Sequence, residues 1–158
     1  MIDKEYFNYI YNTYSSSILK ISYTYLKNTT LAEDILQDVL LKMMKRNVKF
    51  SNKDNEKYWI IKVTSNLCKD TLKSSWFKKN TELTDDLSYL PKEQEEILTE
   101  VFKLPEKYRI VIHLYYYEDY SIKQISKILN KKQSTIGTWL ARGKTELKNY
   151  LEEDFKND

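Results

Sequence analysis

The stretch from 121 to 147, SIKQISKILNKKQSTIGTWLARGKTEL, constrains the fold most because it contains the start, the turn and the polar face of a helical hairpin. Ser121 is followed three residues later by Gln124, the capping-box spacing that marks a helix start. The apolar residues of this first helix share one stripe: Ile122, Ile125 and Leu129. Asn130 tolerates the left-handed conformation that a tight turn needs. We therefore predict two helices joined by a short turn.

The second helix, predicted to begin at about Lys132 or Ser134, separates apolar from polar residues. Its apolar residues occupy one narrow arc: Ile136, Leu140, Gly143 and Leu147. The opposite side carries Thr135, Thr138, Ala141, Arg142 and Thr145. Hydroxyls and an arginine suit base edges and phosphates, as in a helix-turn-helix whose second helix enters the major groove. An ordinary hairpin with a solvated outer face has the same pattern.

Composition favours an all-α fold, because only two Gly and two Pro interrupt 158 residues. That length suits one domain or two small ones. Cys68 and His113 are each the single residue of their type, which excludes a disulfide framework and a Cys/His zinc site. Glycine is too scarce for a phosphate loop. We expect no metal, no cofactor and no catalytic activity.

Charge is distributed unevenly along the chain. Residues 1–79 carry 14 basic and 8 acidic side chains, residues 80–103 carry 2 and 7, and residues 104–158 carry 10 and 8. Two basic segments on either side of an acidic one suit a protein that binds a polyanion at two places. Ordinary surface charge would explain the same distribution. The N-terminus resembles no signal peptide, so we expect a cytoplasmic protein without membrane insertion.

The first helix is predicted from about Tyr6 to Lys27. The second is predicted to be capped by Thr30, and its buried stripe consists of Leu31, Ile35, Val39 and Met43. Polar and acidic residues gather near the N-terminal end of the second: Glu33, Asp34, Gln37 and Asp38. Such a cluster complements the helix dipole and also permits a docking surface.

A polar loop is predicted from Arg46 to Lys57, followed by a third helix from about Lys57 to Trp76 with Trp59, Val63 and Leu67 along one side. Another side mixes cations, amides and hydroxyls: Lys62, Ser65, Asn66, Lys69, Asp70 and Lys73. Single-stranded nucleic acid requires such groups for its backbone and exposed bases. A lysine-rich solvated helix explains the pattern equally well.

Residues 80–93 are acidic, lack helical periodicity and read as a linker. Two helical domains are therefore expected, at 1–79 and 94–158. The segment Tyr108–Tyr117 is rich in β-branched and aromatic residues, but Pro105 before it and Ser121 after it favour a helix that supports the hairpin. His113 is then a helix residue and not a ligand.

Four motifs in order resemble the sigma-70 family of bacterial RNA polymerase sigma factors, in its short extracytoplasmic-function type. The first domain carries Ala-Glu-Asp-Ile-x-Gln-Asp-Val-Leu from Ala32 and Trp-Ile-x-x-Val-x-x-Asn-x-x-x-Asp from Trp59. The second carries Ser-x-x-x-Ile-Ser-x-x-Leu from Ser121, behind Leu104 and Pro105, and Thr-Ile-x-Thr-x-Leu-x-Arg-Gly from Thr135. The resemblance covers nearly the whole chain.

The resemblance implies roles for the two domains. Domain 1–79 would bind core RNA polymerase, with Asp34, Gln37 and Asp38 on the clamp helices of the largest subunit. It would also hold the opened −10 strand through Lys62, Ser65, Asn66, Lys69, Asp70 and Lys73. Domain 94–158 would read the −35 element through Lys131, Lys132, Gln133, Ser134, Thr135, Thr138, Trp139, Ala141, Arg142 and Lys144. The family usually has Arg or Lys where this chain has Gly137 and Trp139.

The leading hypothesis is an alternative sigma factor, a DNA-binding subunit that directs core polymerase to selected promoters and is a possible target of an anti-sigma factor. One alternative is a sigma-like helix-turn-helix regulator that acts without a true initiation role. A helical interaction module is a third.

Overall fold

The computed structural model describes residues 3–46, 50–74 and 100–156, with side chains as far as Glu153. Every regular element in these ranges is helical, which confirms the predicted fold class. The chain forms two compact units, Met1–Tyr89 and Leu90–Asp158. The linker predicted at 80–93 lies outside the described residues. None of the described helices has the length and hydrophobicity needed to cross a membrane.

The first unit contains α1 (Lys4–Leu26), α2 (Thr29–Lys45) and α3 (Lys53–Lys73). Asn28 is the N-cap of α2, and its side chain accepts a hydrogen bond from the Leu31 amide at 2.8 Å. The sequence-based choice of Thr30 as the cap was wrong, because Thr30 already lies within the first helical turn.

Helix α3 begins one turn earlier than predicted, because Asn52 caps it by accepting from the Asn55 amide at 2.8 Å. The predicted loop is shorter for the same reason. The side formed by Trp59, Val63 and Leu67 is only half-buried. The residues that α3 buries are Glu56, Ile60, Ile61, Thr64, Ser65 and Cys68.

Buried polar groups of α3 pair with tyrosines of α1. The hydroxyls of Tyr9 and Tyr14 each donate a hydrogen bond to Glu56 Oε1, at 2.8 and 2.7 Å respectively. Burial, and then the bond to Glu56, raises the pKa of Tyr14 far above its ordinary value, so this phenol remains a proton donor. The Tyr25 hydroxyl also forms a hydrogen bond with the Ser65 hydroxyl. The packing of α3 on α1 is therefore specified by hydrogen bonds as well as by apolar contact.

The second unit contains α4 (Glu106–Ile112), which continues as a π-helical turn (His113–Tyr117), then α5 (Ile122–Leu129) and α6 (Gln133–Lys156). The helix predicted through Tyr108–Tyr117 is confirmed, although its π-helical end was not foreseen. Helix α6 packs closely on α4 at Gly143, where an added Cβ would lie 2.8 Å from Ile112 Cδ1 and 3.1 Å from Tyr108 Cβ. Gly143 therefore permits the close approach of these helices.

Candidate nucleic-acid interface

The hairpin of α5 and α6 has the local geometry that its sequence predicts. Ser121 and Gln124 form both hydrogen bonds of a capping box, at 3.1 and 2.9 Å. Asn130 ends α5 in the left-handed conformation, with φ 55°. The Ser126 hydroxyl and carbonyl both bond to the backbone of Lys131, which closes the turn. Helix α6 then starts at Gln133, inside the predicted range.

Helix α6 turns one polar arc to solvent, which we call the reading face: Thr138, Ala141, Arg142 and Thr145. All four side chains are exposed, whereas Ile136 and Leu140 are buried. Thr138 Oγ1 donates to the Ser134 carbonyl at 3.0 Å, and Thr145 Oγ1 donates to the Ala141 carbonyl at 3.1 Å. The sequence therefore identified four exposed residues of this arc correctly, whereas the fifth, Thr135, is half-buried.

Other residues proposed for this interface differ in exposure. The residues around the start of α6 are exposed: Lys131, Lys132, Gln133 and Ser134. Thr135 is half-buried, as is Trp139, whose ring centroid lies 5.8 Å from Lys107 Nζ at the start of α4. Gly137 has open space around it, since an added Cβ would meet no atom within 4 Å.

Lys144 is exposed but is engaged by tyrosines of the π-helical turn. Its Nζ lies 5.3 Å from the ring centroid of Tyr116 and 5.7 Å from that of Tyr115. A hydrogen bond with the Tyr116 hydroxyl raises the pKa of Lys144. The ammonium is thus directed toward the tyrosines, so Arg142 is the cation that the described reading face carries.

Helix α3 carries a polar arc over more than two turns, which we call its outer face: Lys62, Asn66, Lys69, Asp70 and Lys73. Lys62, Asn66, Asp70 and Lys73 are exposed on it, and Lys69 is half-buried. Ser65 does not belong to this set, and its inclusion was wrong. Its side chain is completely buried and bonds to Tyr25, so it has no surface to offer a nucleic acid.

Arg46 stacks on two aromatic rings near the start of α3, a contact that the sequence did not predict. The Arg46 guanidinium lies 4.4 Å from the Phe50 ring centroid and 4.5 Å from that of Trp59. Trp59 precedes Lys62 by three residues and Asn66 by seven, so it shares their side of the helix. That spacing was available in the sequence, but the contact with Arg46 was not.

The acidic cluster of α2 lies at the surface. Glu33, Asp34, Gln37 and Asp38 are exposed, and Leu41 follows one turn later with 52% of its surface exposed. Sequence reasoning missed Leu41, because an exposed leucine breaks no helical pattern. Charge and an apolar side chain on one surface suit a protein partner.

The described residues contain no group of three side chains able to hold a metal ion. His113 is buried in the π-helical turn, with its Nε2 3.6 Å from a carboxylate oxygen of Glu118. The prediction that His113 is a helix residue is confirmed.

Comparison with known proteins identifies both units. Residues 10–78 match the family model described as Sigma-70 region 2, and residues 94–147 match Sigma-70, region 4. The chain is 25% identical over 170 residues to ECF RNA polymerase sigma factor SigX of Bacillus subtilis (strain 168), covering 94% of this chain and 85% of SigX. It is 26% identical over 171 residues to ECF RNA polymerase sigma factor SigW of that organism, covering 96% and 91% of the two chains.

A solved structure has a similar fold. The sigma factor RpoE, in complex with the anti-sigma factor NepR from Bartonella quintana, superposes with a TM-score of 0.76. The match covers 95% of this chain and 98% of RpoE at 15% sequence identity. At that identity the likeness concerns the fold.

Proposed function

Since this chain belongs to the sigma-70 family, in its extracytoplasmic-function group, and is an alternative sigma factor that directs transcription initiation, we propose which of its surfaces makes each contact. One observation carries the proposal: region 2 and region 4 matches occur in that order, each within a different compact unit. The surfaces follow from the exposed residues of each unit.

The reading face of α6 is proposed to enter the major groove of the −35 element. Its exposed side chains stand on the second helix of a helix-turn-helix, the position that contacts base edges. Lys131 and Lys132 are exposed in the preceding turn and are proposed to contact phosphates. Trp139 and Lys144 are the weaker members of the proposed set, because each packs against α4 or its π-helical end.

The outer face of α3 is proposed to hold the opened −10 strand. Lys62, Lys69 and Lys73 offer charge to the backbone, and Asn66 offers an amide to an exposed base. Asp70 can accept from the exocyclic amine of a base. Trp59 extends this face with a half-exposed ring held against Arg46.

The exposed acids of α2 are proposed to dock on the clamp helices of the largest polymerase subunit. Charge reversal of Asp34 and Asp38 to lysine is expected to weaken core binding at least tenfold, because a like-charge contact replaces an attractive one. The helix remains folded, since both side chains are exposed. Core affinity is measured with a labelled chain, and Asp54→Lys on α3, also exposed, is the matched control. Equal affinity for both variants would exclude this docking surface.

The proposed division of contacts is tested with purified core polymerase. The chain should bind core and confer initiation at selected promoters, and it should protect promoter DNA only when core is present. A strong footprint without core would instead indicate a helix-turn-helix regulator. Action on core polymerase would place the chain in the cytoplasm, and an anti-sigma factor is a proposed partner.

A further inference from the structure

The two threonines of the reading face offer only part of their hydrogen-bonding capacity to a ligand. A hydroxyl has one proton to donate and two lone pairs that accept. Thr138 and Thr145 each donate that proton to a carbonyl of their own helix, four residues back. What they present outward is therefore an acceptor oxygen and a methyl group. Ala141, between them on the same arc, adds another methyl group.

These outward groups match one type of base pair. In the major groove, adenine offers an N6 donor and thymine offers a C5 methyl group, so an A·T pair satisfies both an acceptor oxygen and a methyl contact. A G·C pair also offers a donor, the N4 amine of cytosine, but it has no methyl group, so the methyl contacts distinguish the two pairs. The described reading face has donors for guanine at Arg142.

We propose that the reading face of α6 selects −35 elements in which A·T pairs meet Thr138, Ala141 and Thr145 and a single G·C pair meets Arg142. This inference rests on the proposed −35 role and specifies the DNA that the face accepts. In this arrangement the methyl groups of the two threonines make apolar contacts with the C5 methyl groups of thymines. The hydroxyls accept from the N6 amine of adenine, and the methyl contacts supply the preference for A·T over G·C.

The test begins with holoenzyme reconstituted from this chain and core polymerase, used to select active promoters from a library randomised upstream of the start site. The expected −35 element is rich in A·T pairs and contains one G·C pair at a fixed place. Each thymine of the selected element is then replaced singly by deoxyuridine, which removes only the C5 methyl group.

Wild-type holoenzyme is expected to lose about fourfold in affinity at each contacted thymine, the factor for one buried methyl group. Thr138→Ser keeps the hydroxyl but removes the methyl group, so it should abolish that loss at one thymine and leave the others. Thr71→Ser on α3 is the matched control, because Thr71 Oγ1 makes the same bond, to the Leu67 carbonyl at 2.9 Å. It should leave every deoxyuridine effect unchanged.

Selected −35 elements rich in G·C pairs would overturn the inference. So would equal binding of thymine and deoxyuridine at every position, or a Thr138→Ser variant that keeps every deoxyuridine effect. These outcomes are distinct from failure of the proposed function, in which the reconstituted mixture selects no promoter at all.

Discussion

Helices α3 and α6 each turn a polar face outward, but their inward faces differ in chemistry. Helix α6 packs through Ile136, Leu140 and a glycine. Helix α3 instead buries Glu56, Thr64 and Ser65 among its apolar residues. A helical wheel sorts residues by hydrophobicity, so it separates the two faces of α6 and confuses those of α3. The difference shows that a polar residue identifies an outer face only where the inner face is apolar.

The largest effect is expected at the polar inner face of α3. Glu56→Ala should lower the free energy of unfolding by about 3 kcal/mol, because it removes a carboxylate that accepts from two phenols and leaves the buried Tyr14 hydroxyl without this partner. Urea denaturation followed by circular dichroism measures it. Glu56→Gln, which keeps an acceptor oxygen, should cost much less. Equal losses for both variants would mean that an acceptor oxygen of the same shape is not enough and that the negative charge of the carboxylate is required.

The outer face of α6 gives the next effect, on binding instead of stability. Arg142→Ala should weaken holoenzyme affinity for the −35 element by about 1 to 3 kcal/mol if the guanidinium contacts a base in bidentate fashion. Unfolding should not change, because the side chain is exposed. Affinity is measured on a promoter fragment, with Lys148→Ala, exposed on the same helix, as the control. An unaltered affinity would remove Arg142 from the reading face.

The two glycines of α6 test how close its inner face lies to α4. Gly143→Ala should lower the free energy of unfolding by about 1 to 2 kcal/mol, because its Cβ collides with Ile112 and Tyr108. Gly137→Ala should raise it by up to about 1 kcal/mol, because its Cβ meets open space and alanine favours the helix. Thermal unfolding of the pair measures both, and changes of the same sign would contradict this account.

The smallest effect separates two neighbours on α3. Ser65→Ala should lower the free energy of unfolding by about 1 kcal/mol, through loss of its bond to Tyr25, and leave promoter opening unchanged in the folded protein. Asn66→Ala should leave stability unchanged and weaken the open complex. Denaturation and permanganate footprinting measure the two properties. A reversed assignment of the effects would restore Ser65 to the outer face.

The sequence predicted those features that depend on residues close together in the chain. The capping box at Ser121, the turn at Asn130 and the arc of α6 follow from spacing alone, and all three are confirmed. The buried place of Ser65 depends on Tyr25, 40 residues earlier, and no local pattern encodes it. The stack of Arg46 on Trp59 is likewise a tertiary contact. Residue roles in DNA and polymerase binding stay predictions.

The π-helical turn at His113–Tyr117 has a consequence for the length of this chain relative to others. Its hydrogen bond from the Glu118 amide to the His113 carbonyl, at 3.2 Å, encloses one residue more than an α-helical turn. A surplus residue of this kind can be lost, with the turn closing into α-helix, while the segments on either side keep their register. Alignments of related chains should therefore place single-residue gaps in this turn, near the exposed Tyr116.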